Sequence, residues 1–574
     1  MSELTETVDV LIAGSGAAGL TAAVTAAVSA GRANLKVLVV EKEALFGGTT
    51  SFSGGVIWIP GARPSLEISK SSGKPDSTEL GRDYVYDIAG EGADPRKIEA
   101  FLQQGPKMVD FMEANSEVRF YGMYYPDYIS ESASAGTFRS MGTRNYETSF
   151  LGPHLKNLRN LLPQTLFLGM AIGSTVEIKE FLNATRSVRS FWYVAKKMMA
   201  HARDMLVYGR AEQVVRGRAL VARLAKTAFD LGIPMWLSTP VVGLISENGR
   251  VVGAYVDRNG TRVRVNATRG VVLACGGFAR DPQRRAASYP SLINYADHPT
   301  AVPAGNTGDG VRMAEGVGAQ FTNNVSQPAP WMPVSRIPGK SGVEGVWPHF
   351  VDRQKPGFIA VTRSGRRFAD ESCSYHYFVP EMVRASQEEG ESEAIAWLVA
   401  DNRAVNRYGM GFARPFPIPR GHYVKNGYLL RGDTIGELAA MAGINPEGLQ
   451  QAIARFNEFA RQGTDGDFGR GGRTYDQSQG DDEAKPNPCL APLEMAPFYA
   501  VRLYASEIGS FAGLKTDEHA RVLDTSDQPI AGLYAVGNDQ ASVFGGAYPG
   551  AGATLGPAMT FGYIAGRHIA GQPD

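Results

Sequence analysis

Tyr548 sits in a stretch with almost no other reactive group. The segment GGAYPGAGATLGPAMTFGYIAG, residues 545–566, holds seven glycines and two prolines and no acid, base or histidine. From Val522 to Gly566 the chain contains no Arg, Lys or His. A carboxylate meeting this loop would find no guanidinium to replace its lost hydration, so the substrate group received there should be neutral. A phenolic O–H and a backbone N–H can instead polarise a ketone, and hold the charge that builds on its oxygen when a proton leaves the neighbouring carbon. Tyr548 and the N–H of Gly552, four residues on, form the natural pair, because a side chain at the second position would block a bulky substrate.

A loop of this kind must be carried by larger elements, and the N-terminus identifies the first of them. VDVLIAGSGAAGLTAAVTAAV (8–28) reads as strand, tight turn and alanine-rich helix. Gly14, Gly16 and Gly19 fall in the G-x-G-x-x-G spacing around Ala17 and Ala18, and the strand KVLVVEK (36–42) ends in Glu41 and Lys42, with Glu41 22 residues after Gly19. Glycines there let a pyrophosphate approach a helix N-terminus, and the acid accepts from a ribose hydroxyl. Three later stretches favour FAD over NAD. FGGTTSFSGGVIWIP (46–60) is a loop of small hydrogen-bonding residues suited to lie against a flat ring. A helix around 218–231 leads through PMWLST (234–239) into two hairpins with Asn248-Gly249 and Asn259-Gly260 turns, ending in GVVLACGGFAR (270–280). GLYAVGNDQ (532–540) is another strand ending in glycine and polar residues. The expected cofactor contacts are those already named together with Gly48, Thr49, Thr50, Ser53, Gly54, Gly55, Val242, Gly276, Gly277, Gly308, Asp309, Gly537, Asn538, Ala553 and Leu555.

Composition sets outer bounds. The 574 residues carry 58 Lys+Arg against 58 Asp+Glu, so no global field favours nucleic acid. Three widely spaced cysteines form no metal-type spacing, no metal site is expected, and a reducing, cytoplasmic compartment is the natural expectation. The start, MSELTETVDV, lacks the basic region of a secretory signal, and no window reaches eighteen uninterrupted apolar residues.

The motifs GSGAAG, GGTTSFSGG, ACGGF, GNTGDG (305–310), RRFADES (366–372) and LYAVGN, spread over nearly the whole length, resemble the fumarate reductase/succinate dehydrogenase flavoprotein superfamily. That resemblance implies an α/β fold: a Rossmann-like FAD-binding domain, of the fumarate reductase type, interrupted by an α+β substrate-binding catalytic domain. The expected division is 1–330 and 501–574 for the FAD domain and 331–500 for the insert. Within the insert, LAAMAGINPEGLQQAIARFNEFA (438–460) reads as helix, turn, helix, and the polar, turn-rich 463–488 reads as a surface loop. TTSFSGG offers hydroxyls but no histidine for a covalent flavin bond, so FAD should be non-covalent. The run YPGAG (548–552) followed by ATLGPAMTFGYIAG narrows the resemblance to the 3-ketosteroid Δ1-dehydrogenases. It implies that Tyr548 and Gly552 bind the C3 carbonyl of a 3-ketosteroid. It further implies that Tyr375 of FADESCSYHYF is the base for the C2 proton, with Tyr377 close enough to compete. Tyr128 of YPDY (125–128) supports the base and Tyr125 forms a wall of the pocket, while hydride passes from C1 to flavin N5. A hydrogen bond from Tyr128 should lower the pKa of the base. The helix beginning near Pro557, a favoured first helical residue, should point its positive end at the loop. His376 reads as a neighbour, and Cys275 as a packing residue near the nucleotide.

Alternatives remain open at this point: a 4-dehydrogenase of 5α-3-ketosteroids, a fumarate-type reductase, or a lipid carrier that binds no flavin. An external electron acceptor, a quinone or another redox carrier, is expected for a dehydrogenase. Finally, residues 156–218 carry eleven bases against four acids, interleaved with LLPQTLFLGMAIG and FWYVAKKMMAHARDML. This is either a core helix with a solvated basic face or an interfacial helix lying on anionic lipid at the inner face of the cell membrane.

Overall fold

The structure, a computed structural model, describes residues 4–31, 34–173, 175–208, 213–293, 295, 297–339 and 342–572. Short runs of Val, Leu and Ile build the centre of its larger sheet. Five strands run parallel in the order Pro529–Ala535, Thr261–Leu273, Leu4–Ala13, Val37–Val40 and Met235–Trp236. Val10, Leu11 and Ile12 are all buried, as a parallel strand covered on both faces requires. Thr261–Leu273 is long enough to leave this core and pair antiparallel with Arg250–Arg258, which pairs in turn with Val241–Glu247. Both connecting turns hold positive φ at each central residue, 50° and 77° at Asn248 and Gly249 and 55° and 79° at Asn259 and Gly260, which is the hairpin geometry that Asn-Gly favours. Although Pro529–Ala535 is more than 250 residues downstream, it aligns Leu533, Tyr534 and Ala535 with Val271, Val272 and Leu273.

A second sheet is wholly antiparallel, in the order Gly342–Pro348, Trp331–Gly339, Phe498–Glu507, Ile395–Ala400 and Phe358–Val361, with Leu430–Gly432 also paired to Phe498–Glu507. Ile435–Ala442 and Pro446–Gln462 form the helical pair read from 438–460. Thr434 and Asn445 cap them, and Gly443 ends the first at φ 69°.

Two expectations need correction. The segment 463–488 is a surface loop only in part. Asp465, Arg470, Tyr475 and Asp476 are buried, and 474–479 forms a short helix. The charges it buries at Arg470 and Asp465 are paired: Arg470 with Glu371 at 3.0 Å, and Arg367 with both Glu371 at 2.7 Å and Asp465 at 2.9 Å. The C-terminal helix starts at Leu555, which places Pro557 at its third position. The missing N–H still costs nothing there, since the first four lack an intrahelical acceptor.

The basic segment folds as the helices Thr175–Asn183 and Val188–Tyr208. Arg210 and Glu212 lie outside the described residues. Val188, Phe191, Trp192, Met199, Met205 and Leu206 are exposed. Among the described residues no helix is long and apolar enough to cross a membrane.

Candidate active site

A cavity of about 810 Å³ runs from the first glycine turn to the edge of the second sheet. At one end the helix Ala17–Ser29 opens onto it with no side-chain cap and no acid in its first turn. Gly14, at φ 114°, lies so close to the neighbouring turn that a Cβ would fall 2.1 Å from the Ala274 carbonyl oxygen. On the cavity side, a Cβ on Gly48 would find nothing closer than the Gly16 Cα at 4.0 Å. Backbone is thus packed tight behind and left bare in front, which fits a pyrophosphate laid across the helix N-terminus. Glu41 accepts from the Ser15 amide at 3.1 Å and from the Glu43 amide at 3.0 Å, and it lines the cavity. Thr50 Oγ1 accepts from the Ala17 amide at 3.0 Å, and Asn306 Nδ2 donates to Thr49 Oγ1 at 2.8 Å. Lys42 Nζ forms an ion pair with Asp309 at 2.7 Å.

Of the sequence-predicted cofactor residues, Gly14, Gly16, Ala17, Ala18, Glu41, Lys42, Gly48, Thr49, Thr50, Ser53, Gly54, Gly276, Asp309, Gly537, Asn538 and Leu555 line this cavity. Gly19, Gly55, Val242, Gly277, Gly308 and Ala553 do not. Val242 is 52% exposed and points outward, whereas Val241 takes the cavity side; adjacent strand residues face opposite ways. Gly19 and Gly55 support the wall from behind, where a Cβ would strike the Gly14 oxygen or the Arg216 backbone. Gly277 donates its amide to Asp539 at 3.0 Å. Asp539, which sequence reasoning missed, is fully buried and also accepts from the Cys275 amide; burial pushes its carboxyl up to about 6. Cys275 lines the cavity, and its thiol is held neutral by burial.

At the other end Tyr128, Tyr375 and Tyr548 meet. The Tyr128 hydroxyl donates to Tyr375 at 2.9 Å, and Tyr375 donates to Tyr548 at 3.2 Å. Tyr377 reaches only the Tyr548 backbone oxygen, at 3.5 Å, so the geometry brings Tyr375 rather than Tyr377 into the hydroxyl chain. Burial raises the pKa of all three phenols. The hydrogen bond from Tyr128 does pull Tyr375 downward, but desolvation outweighs it, so the expected lowering is not the net result.

The loop that carries Tyr548 is held by its carbonyls. Pro549 O accepts from the Tyr128 amide at 2.9 Å and from the Tyr84 hydroxyl at 2.8 Å, Ala551 O from Ser140 Oγ at 2.8 Å, and Gly552 O from the Trp58 amide at 3.2 Å. With its oxygens turned into the framework, the loop has the Gly552 N–H left over, without an acceptor among the described residues, at a position that lines the cavity. Beneath the loop, His376 Nδ1 accepts from the Trp331 amide at 3.3 Å, and its ring stands 5.4 Å from that of Tyr548. Burial drops its pKa to about 3, so the imidazole is neutral packing.

Sequence reasoning missed the outer support. Tyr475 packs its ring 5.0 Å from Tyr128 and 6.1 Å from Tyr125, and its hydroxyl accepts from Gln354 Nε2 at 3.3 Å. Asp127, next to Tyr128, is buried and accepts from Trp58 Nε1 at 2.8 Å and Arg139 at 2.7 Å. A polar flank gave no cue for Tyr475, but YPDY itself contained Asp127. Tyr125 lines the cavity as expected.

The chain matches the model of the FAD binding domain family over residues 9–555. It is 38% identical to the 4-oxocyclohex-2-ene-1-carboxylate 5-dehydrogenase of Sinomonas cyclohexanicum, over 98% of this chain and 93% of that one. With the 3-oxosteroid 1-dehydrogenase of Mycobacterium tuberculosis it shares 34% identity over 98% of each chain. Among solved structures it resembles 3-ketosteroid delta1-dehydrogenase from Sterolibacterium denitrificans in complex with 1,4-androstadiene-3,17-dione, with a TM-score of 0.90 and 36% identity, covering 99% of this chain and 100% of the other.

Proposed function

We propose that this chain, which belongs to the FAD binding domain family, removes the C1 and C2 hydrogens of a 3-ketosteroid to form a 1,2 double bond. The observation that carries this reading is the chain of three buried tyrosine hydroxyls ending in an arginine-free glycine loop. Tyr548 accepts from Tyr375, which leaves its own proton to donate to the keto oxygen, with the Gly552 N–H as second donor. Each such donor in a dry site contributes about 2.7–4 kcal/mol to stabilising the developing oxyanion. The reacting form of Tyr375 is its phenolate, left when the hydroxyl proton is released to solvent; as charge builds on the keto oxygen, the C2–H bond breaks and its proton goes to that phenolate oxygen, to which Tyr128 donates. Tyr125 and Phe350 wall the site with aromatic surface and exclude water, and Tyr475 backs Tyr125 from behind.

FAD, when bound, supplies the two-electron acceptor for the hydride that leaves C1. Gly14, Gly16, Ala17 and Ala18 would hold its pyrophosphate, Glu41 its ribose, and Thr49, Thr50, Ser53 and Gly54 the loop beside its ring, non-covalently. Turnover also needs an external electron acceptor, a quinone or another redox carrier. Anaerobic mixing with a 3-keto-4-ene steroid tests the reading: flavin absorbance should bleach, and a 1,4-diene should appear. Persistent colour with full steroid recovery overturns it.

A second reading is favoured by the 38% relative, whose substrate is a single oxocyclohexene ring bearing a carboxylate. The same hydroxyl chain could serve a cyclic ketone of that size, and parallel assays with 4-oxocyclohex-2-ene-1-carboxylate decide between the two.

For location, we propose peripheral contact with the inner face of the cell membrane through 156–218. The exposed apolar residues of Val188–Tyr208 support it, as do the pocket-lining Phe181, Leu182 and Val194 on the inner side of the same segment, which would let an insoluble substrate pass from lipid to site.

A further inference from the structure

Resting on the ketone dehydrogenation just argued, we infer that Arg414 is an anion-recognising residue at the far end of the cavity, selecting a fused-ring ketone whose remote end carries a carboxylate. Along the cavity wall the Tyr375 ring is followed by Phe350, at a centroid distance of 5.3 Å, and then by Trp347, three residues earlier. The Arg414 guanidinium lies 4.9 Å from the Trp347 ring centre and 5.6 Å from that of Phe412, in the same cavity. Phe350 and Trp347 therefore lie in turn along the wall between Tyr375 and Arg414.

The chain leaves this cation incompletely satisfied. One terminal nitrogen donates to the Gln164 and Leu166 carbonyls at 2.9 and 3.0 Å, which fixes the plane of the group. Among the described residues no acceptor takes the Nε and Nη1 hydrogens, and no carboxylate comes within ion-pair distance. The cavity contrasts here with its nucleotide end, where Lys42 already has Asp309. Burial lowers the Arg414 pKa, and the titratable groups beside it are the Tyr423 and Tyr428 phenols, which burial keeps neutral. A guanidinium anchored on one edge, stacked on indole and open on the other edge presents the fork that a carboxylate fits bidentately. The neighbouring Phe416, Pro417 and Ile418 add apolar surface for the chain that brings the carboxylate there.

The test uses the FAD-loaded protein and three probes: 3-oxochol-4-en-24-oic acid, its methyl ester, and 4-oxocyclohexanecarboxylate. Binding is read by tryptophan fluorescence, which needs no turnover, and oxidation by flavin bleaching. Wild-type protein should bind the steroid acid at least about 10-fold tighter than the ester, and Arg414→Met should bring that ratio close to one while raising KM for the acid more than it lowers kcat. Arg414→Lys, which keeps the charge but not the fork, should restore part of the preference and guards against a merely misfolded Met variant. The single-ring acid should respond little to either change. Equal binding of acid and ester by the wild type, equal loss of both in Arg414→Met, or binding of neither overturns the inference. Preferential binding of the acid without flavin bleaching supports the subsite and overturns the dehydrogenase reading instead.

Discussion

The hydroxyl of Tyr128 donates to the hydroxyl of Tyr375 at 2.9 Å, and both rings are buried. Because burial raises the Tyr375 pKa above its ordinary value near ~10, phenolate is scarce at neutral pH, and log kcat/KM should climb with pH through 9 without a plateau. Tyr375→Phe removes the proposed proton acceptor and should lower kcat/KM by at least about 10²-fold. Tyr128→Phe removes only the hydrogen bond that favours the phenolate. It should cost less and move the alkaline limb to higher pH. A pH–rate profile that is flat between 7 and 9 contradicts this division of roles.

Tyr548→Phe should reduce kcat by about 10²–10³-fold, the loss seen when one oxyanion donor is removed, without loosening the nucleotide end. The flavin-to-protein absorbance ratio of the purified variant checks the second half of the statement. A variant that turns over normally removes Tyr548 from the mechanism.

The parts of this arrangement that were readable in sequence are those fixed locally. Asn248-Gly249 and Asn259-Gly260 forecast their hairpins because the positive φ they adopt is a property of those residue types. Tyr548 stood out because its neighbours have no charge to explain it. Tyr475 was not readable, because the segment around it is polar and its burial depends on partners about a hundred residues away: Glu371 for Arg470, and Arg367 for Asp465. Val242 failed by one position of strand parity, with Val241 taking the cavity side. Gly19, Gly55 and Gly277 read as cofactor contacts, whereas what a Cβ on each would meet is the Gly14 oxygen, the Arg216 backbone and Ser510 with Asn538. Sequence alone does not say from which side the approach comes.

Gly552 has φ 100°, and a Cβ there would stand 2.6 to 2.7 Å from the backbone of Ile57 and Trp58. Gly552→Ala combines a left-handed strain with a clash against an immobile strand, which should destabilise the protein by about 2–4 kcal/mol or push the loop off its carbonyl anchors. Urea unfolding measures the first outcome, and loss of ketone-induced flavin spectral shifts the second. An Ala variant with wild-type values in both assays shows that the loop is not held as described.

Tyr475 touches no reacting atom in the proposed scheme, yet it packs 5.0 Å from Tyr128 and is itself fully buried. Tyr475→Phe loses the hydrogen bond from Gln354, about 1 kcal/mol of stability. Tyr475→Ala leaves a cavity costing about 3–5 kcal/mol and frees Tyr128 to turn. The Ala variant should therefore show a shifted pH–rate limb like that of Tyr128→Phe, and the Phe variant should not. Identical profiles for both would make Tyr475 plain core.

On the helix Val188–Tyr208, Val188, Trp192, Met199 and Leu206 recur at intervals of four and seven, so they form one exposed stripe. Arg189, Lys196 and Arg203, spaced by seven and exposed, run beside it. An apolar stripe with a row of bases along its edge suits a helix lying in the headgroup region of anionic lipid, where each base contributes about 1 kcal/mol. The protein should co-sediment with phosphatidylglycerol-rich vesicles at low salt and be released at high salt, as screening shortens the reach of those charges. Arg189→Glu, Lys196→Glu and Arg203→Glu combined should abolish sedimentation, while Trp192→Ala should weaken it and make the remainder more sensitive to salt. Retained binding in the triple variant, or equal binding to neutral vesicles, assigns the stripe to some other surface.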